Sequence, residues 1–522
     1  MVATAPAAGA QPRAEVGAAL VRTFLNTHAA VWLWEEGQRL AHLSGEASGY
    51  SLECDAGRLV CHFWSSEANL VRRVINWRGG AGRLELTCLR LGRAQPTRLT
   101  LTPAPVWEDE SRELARAAFQ QTVLQAIQRE WPEWSGTVWT ANAAPAGPVL
   151  RVSLRRQRAL IAVAAVADED RAAADDALMQ ALLLAAHLQR PPSTSATWRA
   201  THLAAVRLIL PPGSEATTAA RCRWLSAGPG VEVPIECWRL DRSAGYLNQV
   251  PLEVHGNAVP ALHRALATPD SPGPAALALL AEMRELCPQA TLTADGEGGW
   301  RFRLYGLEFA SAAAPGAAAL APCVFGCGRE QTPLLPSTQP LFRHFLQELG
   351  RARVPGGDPR SPWFRLQPER WLESLLGHDP SALDPQLDAR FLYTQIALGP
   401  AAGRDVLDLL ACDREGRLVV IELKAAEDAA FPLQALDYWV RVRQHQGDFE
   451  RLGYFPGRRL SPLPPKLWLV APALRWHPQT AALTRWLAPE IAWTRIGLNE
   501  TWRDGIQVLY RHAAQPAGAG ES

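Results

Sequence analysis

Lysine is almost absent from this sequence: 2 lysines, Lys424 and Lys466, stand against 51 arginines in 522 residues. Almost every position that needed a positive charge holds Arg, so each remaining Lys asks for a reason. Net charge is scarce as well. A formal +1 at pH 7 excludes a blanket electrostatic attraction to nucleic acid and leaves that task to local arginine patches. Long apolar runs are missing: Ala159–Ala167 is far too short to span a bilayer, so no membrane partner is expected. The opening MVATAPAAGAQPRAE has no basic segment followed by an apolar one, which predicts a flexible tail over 1–15 and no signal peptide. The nine cysteines are odd in number and scattered, unlike a disulfide framework. Cys323 and Cys327 form one isolated C-x3-C without a second pair at zinc-site spacing. A reduced, cytoplasmic protein is the expectation. The sequence also lacks the Gly-x4-Gly-Lys-Ser/Thr phosphate loop, so ATP-driven unwinding would need another chain. Its twelve histidines form no Ser-His-Asp signature.

What is present is ordinary in bulk, with 48% apolar and 20% charged residues. The length is too great for one core and suggests three or four domains. The 20 tryptophans read as core and interface anchors. Apolar periodicity and Gly/Pro punctuation divide the chain into a mixed α/β series. Residues 16–105 form an α+β accessory domain with strands at 58–64, 83–91 and 98–103. Residues 106–245 run helix, strands 148–154 and 159–166, helix 175–188, strand 204–211, helix and final strand. Residues 246–358 form a second accessory domain and a Pro/Gly-rich linker. Residues 359–512 repeat the order of the second segment, and 513–522 is a closing tail.

The second and fourth segments also echo each other in residues. TANAAPAGPVLRVSL (140–154) lies beside TQIALGPAAGRDVLDLL (394–410), and Arg223-Trp224-Leu225 beside Arg485-Trp486-Leu487. Upstream, GRAQPT (92–97) matches GREQTP (328–333) in the same order along the chain. Two diverged copies of one unit are expected, each an accessory segment followed by an αβββαβ core.

The chemistry concentrates in DVLDLLACDREGRLVVIELK (405–424). Two apolar strands flank Asp413-Arg414-Glu415-Gly416, and Gly416 suits the left-handed position of a three-residue hairpin loop. That closure pairs Asp413 with Arg417 and sets Asp408 opposite Glu422. Alternation along the strand then puts Lys424 on the face of Glu422. Facing carboxylates weaken a sheet, and burying them unpaired costs several kcal/mol. Lys424 offsets part of that, and a divalent cation would offset the rest, since Mg²⁺ takes one or two carboxylates plus water and phosphate oxygens. Arg cannot replace Lys in such a site: it is bulkier, favours bidentate pairing and does not give up its proton. A strand-end ion pair between Glu422 and Lys424 is the plain alternative.

The constellation Asp408-x13-Glu422-Leu423-Lys424 on consecutive strands resembles the PD-(D/E)xK nuclease superfamily, nearest to its RecB-like and NucS-type nuclease domains. The resemblance covers roughly 150 residues at the C-terminal end, and Leu407 stands where the name-giving proline would be. It implies a restriction-endonuclease-like αβββαβ core with a mixed central sheet. It also implies divalent-metal-dependent hydrolysis of phosphodiester bonds by a DNA endonuclease or nickase, with RNA as the other candidate substrate. Asp408, Glu422 and the Leu423 carbonyl would hold Mg²⁺ or Mn²⁺, with Glu373 of the first helix as a further acid and Glu369 behind it. Lys424 would position or deprotonate the attacking water. Gln434 and Tyr438, one helical turn apart, would orient the site or touch the phosphate backbone.

In the first copy Arg151 stands where Asp408 does, and Val163 and Ala165 are expected in place of Glu422 and Lys424. That core would be inert. RVSLRRQR gathers Arg151, Arg155, Arg156 and Arg158 near its hairpin, a patch suited to gripping phosphates without reading bases, or else a solvated turn. The competing functional class is a non-catalytic nucleic-acid-binding module or a scaffold gated by protein partners in a bacterial defence or repair system.

Overall fold

The computed structural model describes residues 14–514 apart from 29, 36–37, 45–47, 56–57, 65–68, 81, 91–94, 104–105, 140–147, 190–200, 227–232, 252–271, 273, 296–297, 314–322, 328–330 and 398–405. Most of the two expected tails, the TANAAPAG and GPAAGR halves of one internal match, and the opening residues of GRAQPT and GREQTP lie outside the described residues. The chain is mixed α/β and divides into two compact units. One joins Met1–Arg112 to Leu266–Trp371, and the other joins Glu113–Ala265 to Leu372–Ser522.

The first unit holds two antiparallel sheets. Its seven-stranded sheet runs in space from Gln38–Ser44 through Ala30–Glu35, Thr97–Pro103, Arg83–Arg90, Asn69–Gly80 and Arg58–Trp64 to Gly49–Asp55. Strict alternation in Arg58–Trp64 buries Leu59, Cys61 and Phe63 in a core shared with helix Ala14–Thr27. Asn69–Gly80 was not foreseen, because RRVIN breaks alternation where a bulge lies between Val74 and Asn76. The five-stranded sheet (Ala290–Ala294, Trp300–Leu304, Leu307–Ala312, Cys323–Phe325, Thr332–Pro333) packs on helices Pro274–Leu286 and Gln339–Ala352.

The second unit holds two six-stranded sheets of identical design. The first core orders its strands Ser135–Val138, Val149–Arg156, Ala159–Val166, His202–Ile209, Ile235–Asp241, Tyr246–Val250. The second core orders them Leu387–Ala397, Val406–Asp413, Leu418–Leu423, Lys466–Pro472, Ala492–Leu498, Val508–Ala513. Both read antiparallel, antiparallel, parallel, parallel, antiparallel across the sheet. Each places a long helix between its third and fourth strands, Ala174–Leu188 in the first and Phe431–Gln444 in the second. Parallel neighbours need such a crossover, and the helix covers one face of the sheet.

The two cores bury those helices in a single hydrophobic cluster that runs from Leu160 and Leu182 to Leu410, Leu436 and Leu483. Their contact is reciprocal. Helix Glu215–Cys222 packs on Phe431–Gln444, and helix Thr480–Thr484 packs on Ala174–Leu188. The echoed tripeptides meet each other: Leu225 pairs antiparallel with Leu487, Ser226 N–H donates to the Trp486 carbonyl (2.7 Å), and Ala488 N–H donates to the Trp224 carbonyl (2.9 Å). This is the self-complementary pattern of a two-fold dimer interface, here made within one chain.

Candidate functional site

The hairpin closes as its turn residues require. Gly416 adopts φ +82°, its N–H donates to the Asp413 carbonyl (2.9 Å), and Asp413 N–H donates to the Arg417 carbonyl (2.9 Å). The ladder continues through Cys412–Leu418, Ala411–Val419, Leu410–Val420 and Leu409–Ile421, so the next facing pair is Asp408 and Glu422. Leu418–Leu423 is buried along its whole length, as a central strand covered on both faces must be.

Asp408 Oδ2 accepts the Leu423 N–H at 3.0 Å. Lys424 Nζ lies 3.9 Å from Glu422 Oε1 and 3.5 Å from Asp428 Oδ2. Glu422 is 1% exposed, and its Oε2 has no hydrogen-bond partner among the described residues. Burial first, and the Asp408 charge second, push the Glu422 carboxyl well above the usual carboxylate range, while Lys424 only partly counteracts them. A fully buried acid with one oxygen idle costs stability, and the pair is suited to sharing a proton or a cation.

Helix Phe431–Gln444 brings two further groups. Gln434 Nε2 donates to Tyr438 Oη at 3.4 Å. Burial, and then the Glu422 charge, push the Tyr438 phenol up to about 12, so it stays a hydrogen-bond donor at neutral pH. Asp408, Glu422, Lys424, Gln434 and Tyr438 are therefore carried by one strand pair and the helix packed beside it.

Glu373 is placed differently. It is buried on helix Pro368–His378, and Gln395 Nε2 donates to its Oε2 at 2.6 Å. Among the described residues no group of three or more His, Cys, Asp or Glu could hold a metal, so Glu373 does not join Asp408 and Glu422 as a third acid. Gln395, which sequence reasoning missed, joins that helix to the sheet through its bond to Glu373. Gln395 faces Asp408 across the sheet, between the pairs Thr394–Leu409 and Ile396–Leu407, and holds φ +56° in mid-strand. A left-handed residue other than glycine costs of order 1–3 kcal/mol and tends to collect at functional sites. No sequence signal marks it.

The first core differs by one residue from expectation. Arg151 faces Ala164, where Val163 was expected, and Val166 takes the place of Lys424. Its hairpin turns on two residues, Gln157 and Arg158, with Gln157 at φ +53°, whereas the second core uses three. The shorter loop moves the pairing by one position. The site is filled: the Arg151 guanidinium stacks on Trp139 (4.5 Å) and donates to Gln180 Oε1 (3.3 Å). The expected four-arginine patch is also divided. Arg151 is half-buried in that stack, and only Arg155, Arg156 and Arg158 are exposed at the tip, with Arg156 3.5 Å from Glu133.

Cys323 and Cys327 are free thiols pushed up to about 12 by burial. Among the described residues no helix is long and apolar enough to cross a membrane. No family model, no curated protein and no solved structure matches the chain.

Proposed function

We propose that the second core is a divalent-metal-dependent nuclease of the PD-(D/E)xK type with a restriction-endonuclease-like core, and that the first core is its diverged, silent copy. The observation that carries this reading is the buried Glu422, set against the Asp408 charge and with its Oε2 idle, with the Lys424 ammonium 3.9 Å from the same carboxylate. An unsatisfied oxygen of this kind fits a cation better than it fits an apolar core.

Asp408, Glu422 and the Leu423 carbonyl are the groups that would hold Mg²⁺ or Mn²⁺, the remaining positions going to water and phosphate oxygens. Bound there, such an ion would neutralise the facing carboxylates and the phosphate and would make water a better nucleophile. Lys424, as an ammonium, orients the attacking water and offsets the negative charge that develops on the phosphate. Tyr438, kept as a phenol, donates to a phosphate oxygen, and Gln434 fixes the phenol's direction. Identical strand order, reciprocal contacts and the filled Arg151 site support the reading of the first core as an inert partner.

Labelled linear, circular and branched DNA, and an RNA control, incubated with the protein and Mg²⁺ or Mn²⁺ test this. Cleavage should appear with metal and vanish in Asp408→Ala and Lys424→Ala. Full-rate cleavage by either variant excludes the assignment.

A further inference from the structure

The two cores act as each other's control, because every strand of one sheet has a counterpart in the other. Directly paired residues point to the same face of a sheet. The transverse row through the second core's carboxylates reads Gln395, Asp408, Glu422, Leu469, Arg495, His512. The matching row of the first core reads Trp139, Arg151, Ala164, Leu208, Cys237, Val250. Where the carboxylates stand, the far half of the row carries Arg495 and His512. Where they are lost, the same two places hold Cys237 and Val250. The polarity of the far half goes with the chemistry of the near half.

Arg495 is built into place. Its guanidinium lies over the Trp476 ring at 5.1 Å, and Trp476 in turn stacks on Phe431 at 5.6 Å and 17°. Phe431 opens the helix that carries Gln434 and Tyr438. Trp476 follows Lys466–Pro472, so the stack stands at the carboxyl ends of the parallel strands, the edge where Lys424 also emerges. Open α/β sheets take their ligands at that edge. Arg475 on the same loop is held by Glu500 at 3.6 Å, whereas no carboxylate among the described residues forms an ion pair with Arg495. His512, in the last strand, is exposed. Strands about 4.8 Å apart put the Arg495 backbone roughly 10 Å from that of Glu422.

We propose that Arg495, backed by Trp476, binds a backbone phosphate of the nucleic-acid strand a few nucleotides from the one presented to Asp408 and Glu422, with His512 extending the contact outward. The proposal rests on the nuclease reading for its substrate class, but it is a statement about binding and is tested without cleavage.

Fluorescence anisotropy of a labelled single-stranded oligonucleotide and of a duplex, in EDTA and in Ca²⁺ over a range of salt, gives affinity and salt slope. Arg495→Gln should weaken binding uniformly across sequences, about tenfold at low salt, and lower the salt slope by about 1. Arg495→Lys should keep the slope and lose part of the affinity, which a merely structural arginine would not do. Thermal unfolding verifies that each variant is folded, and His512→Ala supplies a second, exposed position if Arg495→Gln is not. Unchanged affinity and slope in both Arg495→Gln and His512→Ala overturn the proposal. Wild-type binding with the expected slope change but no metal-dependent cleavage sustains it and removes the nuclease reading. Cleavage with an unaltered KM in Arg495→Gln does the reverse. Absence of any nucleic-acid binding by the wild type ends both.

Discussion

Arg221 and Asp437 lie 216 residues apart in sequence and share a bidentate ion pair, Nε to Oδ1 at 2.8 Å and Nη2 to Oδ2 at 2.7 Å. The arginine is 7% exposed and comes from the first core; the aspartate lies on the second core's helix, between Gln434 and Tyr438. Aligning Gln180-Ala181-Leu182 with Gln434-Ala435-Leu436, and the two Arg-Trp-Leu tripeptides, puts Leu183 opposite Asp437 and Leu483 opposite Arg221. Leu483 belongs to the shared cluster and Leu183 packs against it. One side of the pseudo-two-fold is thus apolar and the other ionic.

Removing Arg221 leaves a half-buried Asp437 without its cation, and removing Asp437 leaves the buried Arg221 with Asp175 alone, 3.7 Å from Nη1. Asp437→Leu or Arg221→Leu should each destabilise by less than the roughly 3–5 kcal/mol of a fully buried pair, while the double leucine variant should return close to wild-type stability. Urea unfolding of all four proteins gives the coupling energy. Additive single losses would show that the pair is not coupled.

Glu422 costs the metal-free protein stability, because it is a buried acid with an idle oxygen. Glu422→Leu should raise unfolding stability in EDTA by about 1–3 kcal/mol and abolish any stabilisation by added Mg²⁺. A loss of stability in EDTA would show that Glu422 is well satisfied by the fold alone.

In the first unit, Glu35 is buried among Arg72 (Nε 3.0 Å), Arg90 (Nε 2.9 Å) and Thr97 (2.9 Å). Burial alone would raise its carboxyl, but the hydrogen bonds from Arg72 and Arg90 prevail and hold it at about 2, below the ordinary 4.5. A depressed folded value contributes stability that is complete above 4.5 and lost as pH falls toward 2. Acid unfolding of the wild type should therefore be steeper across that interval than that of Glu35→Gln. Parallel curves would remove Glu35 as the cause.

Arg353 is fully buried and donates to five backbone carbonyls, those of Leu304 (2.9 Å), Trp363 (3.0 Å), Leu366 (2.6 Å), Tyr305 (2.8 Å) and Gln367 (3.5 Å). Its guanidinium lies 4.7 Å from the Trp371 ring. Arg353→Met leaves those carbonyls without donors and should cost more than 3 kcal/mol, at about 1–3 kcal/mol for each buried group left unmet. Arg353→Lys should recover only part, since an ammonium has three donors where the guanidinium has five. A near-neutral Arg353→Met would mean that water replaces the side chain.

The sequence alone determined what depends on neighbours along the chain. Strands such as Arg58–Trp64 follow from alternation, helix Phe431–Gln444 from its apolar spacing, and the facing of Asp408 with Glu422 from the three-residue turn at Gly416. The tertiary structure decided what depends on which surfaces meet. It bonded Gln395 to Glu373 and carried the site's row across the sheet to Arg495 and His512. It also joined Arg221 to Asp437 and Leu225 to Leu487. Periodicity reports one face of one element at a time; pairing between elements distant in sequence is set by packing and hydrogen bonds that no local pattern encodes.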